Sequence, residues 1–98
     1  MIEVELQLPD GLISEAVVGV VEQICAVHDL TCTLKGTLIR YPESVHWHFK
    51  RGRGKGTLEI TWWESGPRLW FKVADGRTAG WIDERLPRLK DEIEKSLL

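Results

Sequence analysis

Four cations and two glycines stand together in Lys50-Arg51-Gly52-Arg53-Gly54-Lys55. Cations attract phosphate or carboxylate, and glycine lets backbone amides approach an anion closely. Just upstream, His46 and His48 are two residues apart, a spacing that puts both side chains on one face of a strand. Trp63, Trp70 and Lys72 fall on the same face when the neighbouring strands are paired by their apolar residues. Aromatic rings beside cations make a stacking platform, where each base is worth about 1–3 kcal/mol whatever its identity. Lys50, Arg51, Arg53, Lys55, His46, His48, Trp63, Trp70 and Lys72 are therefore expected to form a surface for nucleic acid or another anionic ligand.

Other chemistries compete for these residues. A basic, glycine-rich hairpin tip also serves as a solvated loop that discourages edge-to-edge aggregation. The aromatic face serves equally as a homodimer or protein–protein interface, since apolar patches on small domains meet partners. His48 is expected beside Glu59, and an imidazole oriented by a carboxylate is the start of acid–base catalysis. No G-x-S-x-G nucleophile elbow accompanies that pair, and the four serines fall in turns or helices. Gly54-Lys55-Gly56-Thr57 imitates the end of a phosphate-binding P-loop, yet it joins two strands and lacks the upstream glycine spacing. Cys25-x2-His28-x3-Cys32 offers three metal donors, one short of a closed tetrahedral site. No cofactor or metal is read from the sequence.

The elements that position these residues follow from periodicity. Met1–Leu8 alternates Ile2, Val4, Leu6 and Leu8 with polar residues, and Pro9-Asp10-Gly11 ends this strand in a turn. From Leu12 to Leu30 the period is helical, with Ile13, Val17, Val20, Ile24 and Val27 on an inward face and Glu15, Glu22 and Asp29 on a wet one. Strands are expected near 33–41, 45–50, 57–64 and 68–74. Pairing Ile60 with Phe71 and Trp62 with Leu69 puts Glu59 opposite Lys72 and Thr61 opposite Trp70. Pairing Trp47 with Ile60, Phe49 with Leu58 and Val45 with Trp62 turns the same face of the shared strand inward. A one-residue slip would invert every side chain, so the two registers support each other. The strand near 33–41 joins through Pro42-Glu43, with Leu38 beside Trp47. A last helix carries the stripe Ile82, Leu86, Leu89, Ile93 and Leu97, with Thr78 as N-cap and a kink or a fresh start at Pro87.

The result is an α+β domain over residues 1–98, ordered β-α-β-β-β-β-α. A curved antiparallel sheet, a four-strand meander plus the N-terminal strand, carries two helices on one face. The first strand fits beside either the 33–41 or the 68–74 strand. Across the whole chain this topology resembles the half-domain of TATA-box-binding proteins, which pack helices on the convex side of a curved sheet. The resemblance is one of element order; no residue corresponds to the intercalating Phe pairs of the DNA-binding members.

Composition narrows the class further. The 98 residues suit one domain, and five Trp in a chain that is 43% hydrophobic supply a core. A net charge of −2 argues against a uniformly basic nucleic-acid binder. The charge is nevertheless uneven: residues 1–34 hold six acids and no Lys or Arg, whereas residues 35–72 hold eight basic residues and three acids. The N-terminus lacks the basic and apolar regions of a signal peptide, and Glu15, Glu22 and Gln23 interrupt the longest apolar stretch. Two cysteines make no disulfide framework. A cytoplasmic protein without a membrane segment is expected.

Overall fold

The computed structural model describes residues 1–98. Its elements are β1 (Ile2–Glu5), α1 (Ser14–Val27), β2 (Thr31–Gly36), β3 (Val45–Lys50), β4 (Leu58–Trp63), β5 (Arg68–Val73) and α2 (Gly80–Ser96). All five strands form one antiparallel sheet in the order β1-β5-β4-β3-β2. This is the α+β arrangement expected from the sequence. No helix is long and apolar enough to cross a membrane.

The registers read from the apolar pattern are those observed. Trp47 faces Ile60, Phe49 faces Leu58 and Val45 faces Trp62. On the other side of β4, Ile60 faces Phe71, Trp62 faces Leu69, Glu59 faces Lys72 and Thr61 faces Trp70. The first strand takes the β5 edge, with Val4 opposite Phe71 and Glu3 opposite Lys72. The inward residues of the sheet join Val17, Val21 and Cys25 of α1 and Ile82, Leu89 and Ile93 of α2 in one core. The final helix buries its expected stripe apart from the half-buried Leu86.

Three local expectations are corrected. The strand expected over 33–41 runs instead over Thr31–Gly36, so Lys35 and not Leu38 lies opposite Trp47, and a register shift separates Cys32 from Leu34. Its early start comes from the end of α1. Asp29 takes φ 60°, its N–H donates to Ala26 O, and the Leu30 N–H donates to Cys25 O at 3.0 Å. That pair of bonds is a Schellman ending, which turns the chain into the strand at once. Residues 37–44 then leave the sheet as a loop held by its own turns and by the Leu38 N–H on Ser44 Oγ.

The facing of α1 is also corrected. Val17, Val21, Cys25 and His28 are buried, whereas Ile13 and Val27 are 67% and 72% exposed. Apolar residues surround most of this helix, so periodicity left its orientation open and polar partners decided it. Glu22 accepts from the Trp47 indole Nε1 at 3.0 Å and from the Lys35 ammonium at 2.6 Å. Ser14 Oγ accepts from Trp62 Nε1 at 2.9 Å. At the other end the His28 imidazole meets the Glu92 carboxylate of α2 at 3.1 Å. Finally, α2 begins at Gly80, seven residues before Pro87, and its N-cap is Ala79 with no side-chain cap bond, in place of Thr78. Pro87 sits inside the helix, which costs the Asp83 carbonyl its usual donor.

Removing Glu22 leaves the indole N–H of a fully buried tryptophan without an acceptor. Glu22→Ala should lower urea-unfolding stability by about 1–3 kcal/mol, whereas Lys35→Ala, on a half-exposed pair, should cost less than about 1 kcal/mol. The Lys35 ammonium, and after it the Trp47 indole, hold the Glu22 carboxyl below its ordinary value of 4.5. Its contribution is therefore complete above that pH and is lost as protonation proceeds below it.

Candidate functional site

The strand alternation that buries Trp47 and Phe49 sends His46, His48 and Lys50 to the opposite face of β3. Glu59, Thr61 and Trp63 of β4 and Arg68, Trp70 and Lys72 of β5 share that face. Two concavities open on it, and the sequence-expected residues divide between them.

The first has no hydrophobic residue in its lining. It measures about 670 Å³ and is lined by Thr33, His48, Lys50, Lys55, Gly56, Thr57, Gly76, Arg77 and Thr78. No carboxylate lines it. Lys50 Nζ donates to Gly56 O at 3.2 Å and to Thr57 Oγ1 at 3.3 Å, which holds its charge at the wall. The hairpin tip is fastened to the start of α2: Trp81 Nε1 donates to Lys55 O at 2.9 Å, and the Thr57 N–H donates to Arg77 O at 3.0 Å. Gly56 makes this closeness possible. It has φ 98°, and a Cβ there would lie 2.6 Å from Ala79 Cβ.

The second concavity, about 530 Å³, lies over the middle of the sheet. Glu3, His46, Glu59, Thr61, Trp70 and Lys72 form its floor, and residues 37–41 form its wall. Tyr41 comes down edge-on against Trp63 and Trp70, with ring centroids 5.0 and 5.1 Å away. The Trp63 indole N–H donates to Pro42 O at 3.2 Å. Trp70 is only 7% exposed, and the Arg68 guanidinium lies 4.6 Å from its ring centroid. Of the two aromatics expected as an open stacking platform, Trp70 is thus buried under the chain's own 37–44 loop, and Trp63 is half-buried beside it.

Between the concavities, three side chains converge. His46 Nε2 is 3.1 Å from His48 Nε2 and 3.4 Å from Glu59 Oε1, and His48 Nε2 is 3.7 Å from the same oxygen. His46 Nδ1 and Thr61 Oγ1 are hydrogen-bonded at 2.8 Å. Burial holds His46 below the ordinary imidazole value of 6.5, and the nearby His48 acts in the same direction. At neutral pH His46 is therefore an uncharged imidazole.

Of the nine expected ligand residues, Lys50, Lys55 and His48 meet in the basic concavity, and His46, Trp70 and Lys72 line the other. Trp63 packs under Tyr41. Arg51 and Arg53 stand exposed on the hairpin tip, outside both. Sequence reasoning missed Arg77, Thr57 and Thr78. The signal was present: pairing Glu59 with Lys72 carries the segment after β5 back past Thr57, where Gly76-Arg77-Thr78 must lie. Cys25, His28 and Cys32 do not converge. Cys25 lies in the core, where burial pushes its thiol up to about 12; His28 faces Glu92, and the exposed Cys32 donates to Leu34 O at 3.3 Å.

Comparison with family models, curated proteins and solved structures finds no match to this chain. The chemistry of the face has to be read from its own geometry.

Gly56→Ala tests the fastening of the tip. A side chain at positive φ facing the Ala79 methyl should cost more than about 1 kcal/mol, read by urea unfolding. Gly54→Ala, with only Arg51 O at 3.4 Å from its Cβ, should change stability by less than about 0.5 kcal/mol.

Proposed function

We propose that this domain binds an anionic ligand bearing phosphate, held in the basic concavity between the β3–β4 tip and the segment entering α2. One observation carries the reading: Lys50, Lys55 and Arg77 line a single concavity with His48 and three threonine hydroxyls, and no acid lines it. Ammonium and guanidinium groups supply charge-assisted bonds to phosphate oxygens, and the hydroxyls and glycine amides supply neutral donors. The neighbouring acids are engaged elsewhere. Asp75 pairs with the N-terminal ammonium, and Glu59 points to the histidines.

Within the broader expectation of nucleic acid or another anion, the burial of Trp70 and half-burial of Trp63 favour recognition of phosphate over stacking of bases. The same covering reduces the aromatic surface that a homodimer would use. A catalytic reading on His48 and Glu59 has a 3.7 Å contact in its favour but no serine or cysteine beside it. A cytoplasmic location accords with the free thiols of Cys25 and Cys32.

Calorimetric titration of chelator-treated protein with pyrophosphate at low salt should show saturable binding that weakens as salt is added. Lys55→Ala and Arg77→Ala should each weaken it about tenfold or more, because a hydrogen bond to a charged group is worth about 1.5–3 kcal/mol. Arg53→Ala should have little effect. Absence of binding, or an equal loss from Arg53→Ala, would overturn the proposal. Binding of a short single strand that quenches tryptophan and depends on Trp63 would restore the stacking alternative.

A further inference from the structure

His46 and His48 send both Nε2 atoms to the same point, and Glu59 sends a carboxylate oxygen there. The strand register builds this meeting. Glu59 is the cross-strand partner of His48, and Thr61 is the partner of His46. The three donor atoms are 3.1, 3.4 and 3.7 Å apart. Around a tetrahedral zinc ion with bonds of about 2.0–2.2 Å, neighbouring ligand atoms lie about 3.3–3.5 Å apart. The observed triangle spans that edge length, so an ion fits with small adjustments of side-chain torsion.

We propose that His46, His48 and Glu59 form a zinc site with three protein ligands and one open position.

Donor chemistry agrees with the spacing, since two imidazoles and one carboxylate are a ligand set that zinc accepts. The Thr61 hydroxyl is the outer partner of His46: with Nδ1 engaged at 2.8 Å, Nε2 is the nitrogen left to bind metal. The three ligand side chains are 8%, 21% and 12% exposed, so the ion would be shielded yet reachable. His46 and Glu59 line one concavity and His48 the other, which puts the open position at the divide between them. Lys72 lies across the strand from Glu59 and opposes a cation there. It tunes affinity downward. The site shares His48 with the basic concavity, but none of Lys50, Lys55 and Arg77 is a ligand. Lys55→Ala and Arg77→Ala, which should weaken anion binding, should therefore leave zinc binding in place.

Metal-free protein titrated with zinc chloride by calorimetry should bind one ion per chain. Cobalt(II) in place of zinc should give the intense visible absorption of a four-coordinate centre. His48→Ala and Glu59→Gln should each weaken binding about 100-fold or more. Thr61→Val, which removes only the orienting partner, should weaken it about 10–100-fold. His28→Ala and Cys32→Ala should leave it unchanged. His46 is more deeply buried, so His48→Ala and Glu59→Gln carry the test, with circular dichroism confirming that they fold. Absence of one-to-one binding would overturn the site, as would binding that survives both variants or disappears with His28→Ala or Cys32→Ala.

Discussion

Trp47 and Trp62 are buried completely on adjacent strands, and each sends its indole N–H to α1, one to Glu22 and the other to Ser14. Taking a large aromatic out of water removes roughly 150–250 Å², worth about 4–6 kcal/mol at about 25 cal/mol per Å². No other pair in the sheet combines that apolar gain with a directional tie to a helix. Two ties set the roll of α1 and its height over the sheet, and Val17, Val21 and Cys25 fill the space between them. Strand periodicity does the rest. With Trp47 inward, His46 and His48 have to face outward; with Trp62 inward, Thr61 and Trp63 have to do the same.

The placement of charge follows from the same frame. Once β1 adds to the β5 edge, Glu3 lies opposite Lys72 and Glu5 pairs with Arg68. The acidic first third of the chain thereby neutralises the far side of the basic meander. At the other end, Glu22 is drawn to the helix side by Trp47 and Lys35. The basic residues near the hairpin tip keep their charge unopposed, and Arg77 joins them because the chain leaving β5 runs back beside Thr57. A near-neutral protein thus carries one concavity whose charged lining residues are all cations.

What was legible in the sequence was whatever repeats. Alternation in three consecutive strands specified two registers whose errors would have been visible as buried charges, and the spacing of Ile82, Leu89 and Ile93 specified the inner face of α2. The facing of α1 was not legible, because the apolar arc that runs from Val27 through Val20, Ile24, Val17, Val21 and Cys25 to Val18 covers about half of its circumference, and the choice within it was made by hydrogen bonds from other elements. The excursion of residues 37–44 was not legible either. Its apolar Leu38, Ile39 and Tyr41 imitate a strand, yet Tyr41 packs edge-on against Trp63 and Trp70 instead of extending β2. The covering of Trp70 follows from that one segment, and the proposed preference for phosphate over stacking rests on it.

By itself the sequence determined which residues share a face, because a period of two leaves each strand only one way to bury its tryptophans. It thereby placed His46, His48, Glu59 and Lys50 together on the outer side. The tertiary structure alone decided how close they come and what stands over them. The convergence of two imidazoles and a carboxylate within 3.7 Å depends on side-chain torsions, and the walls of both concavities come from loops whose path local periodicity does not encode. Distances between side chains on different strands are set by packing of the whole sheet against its helices, which no single segment contains.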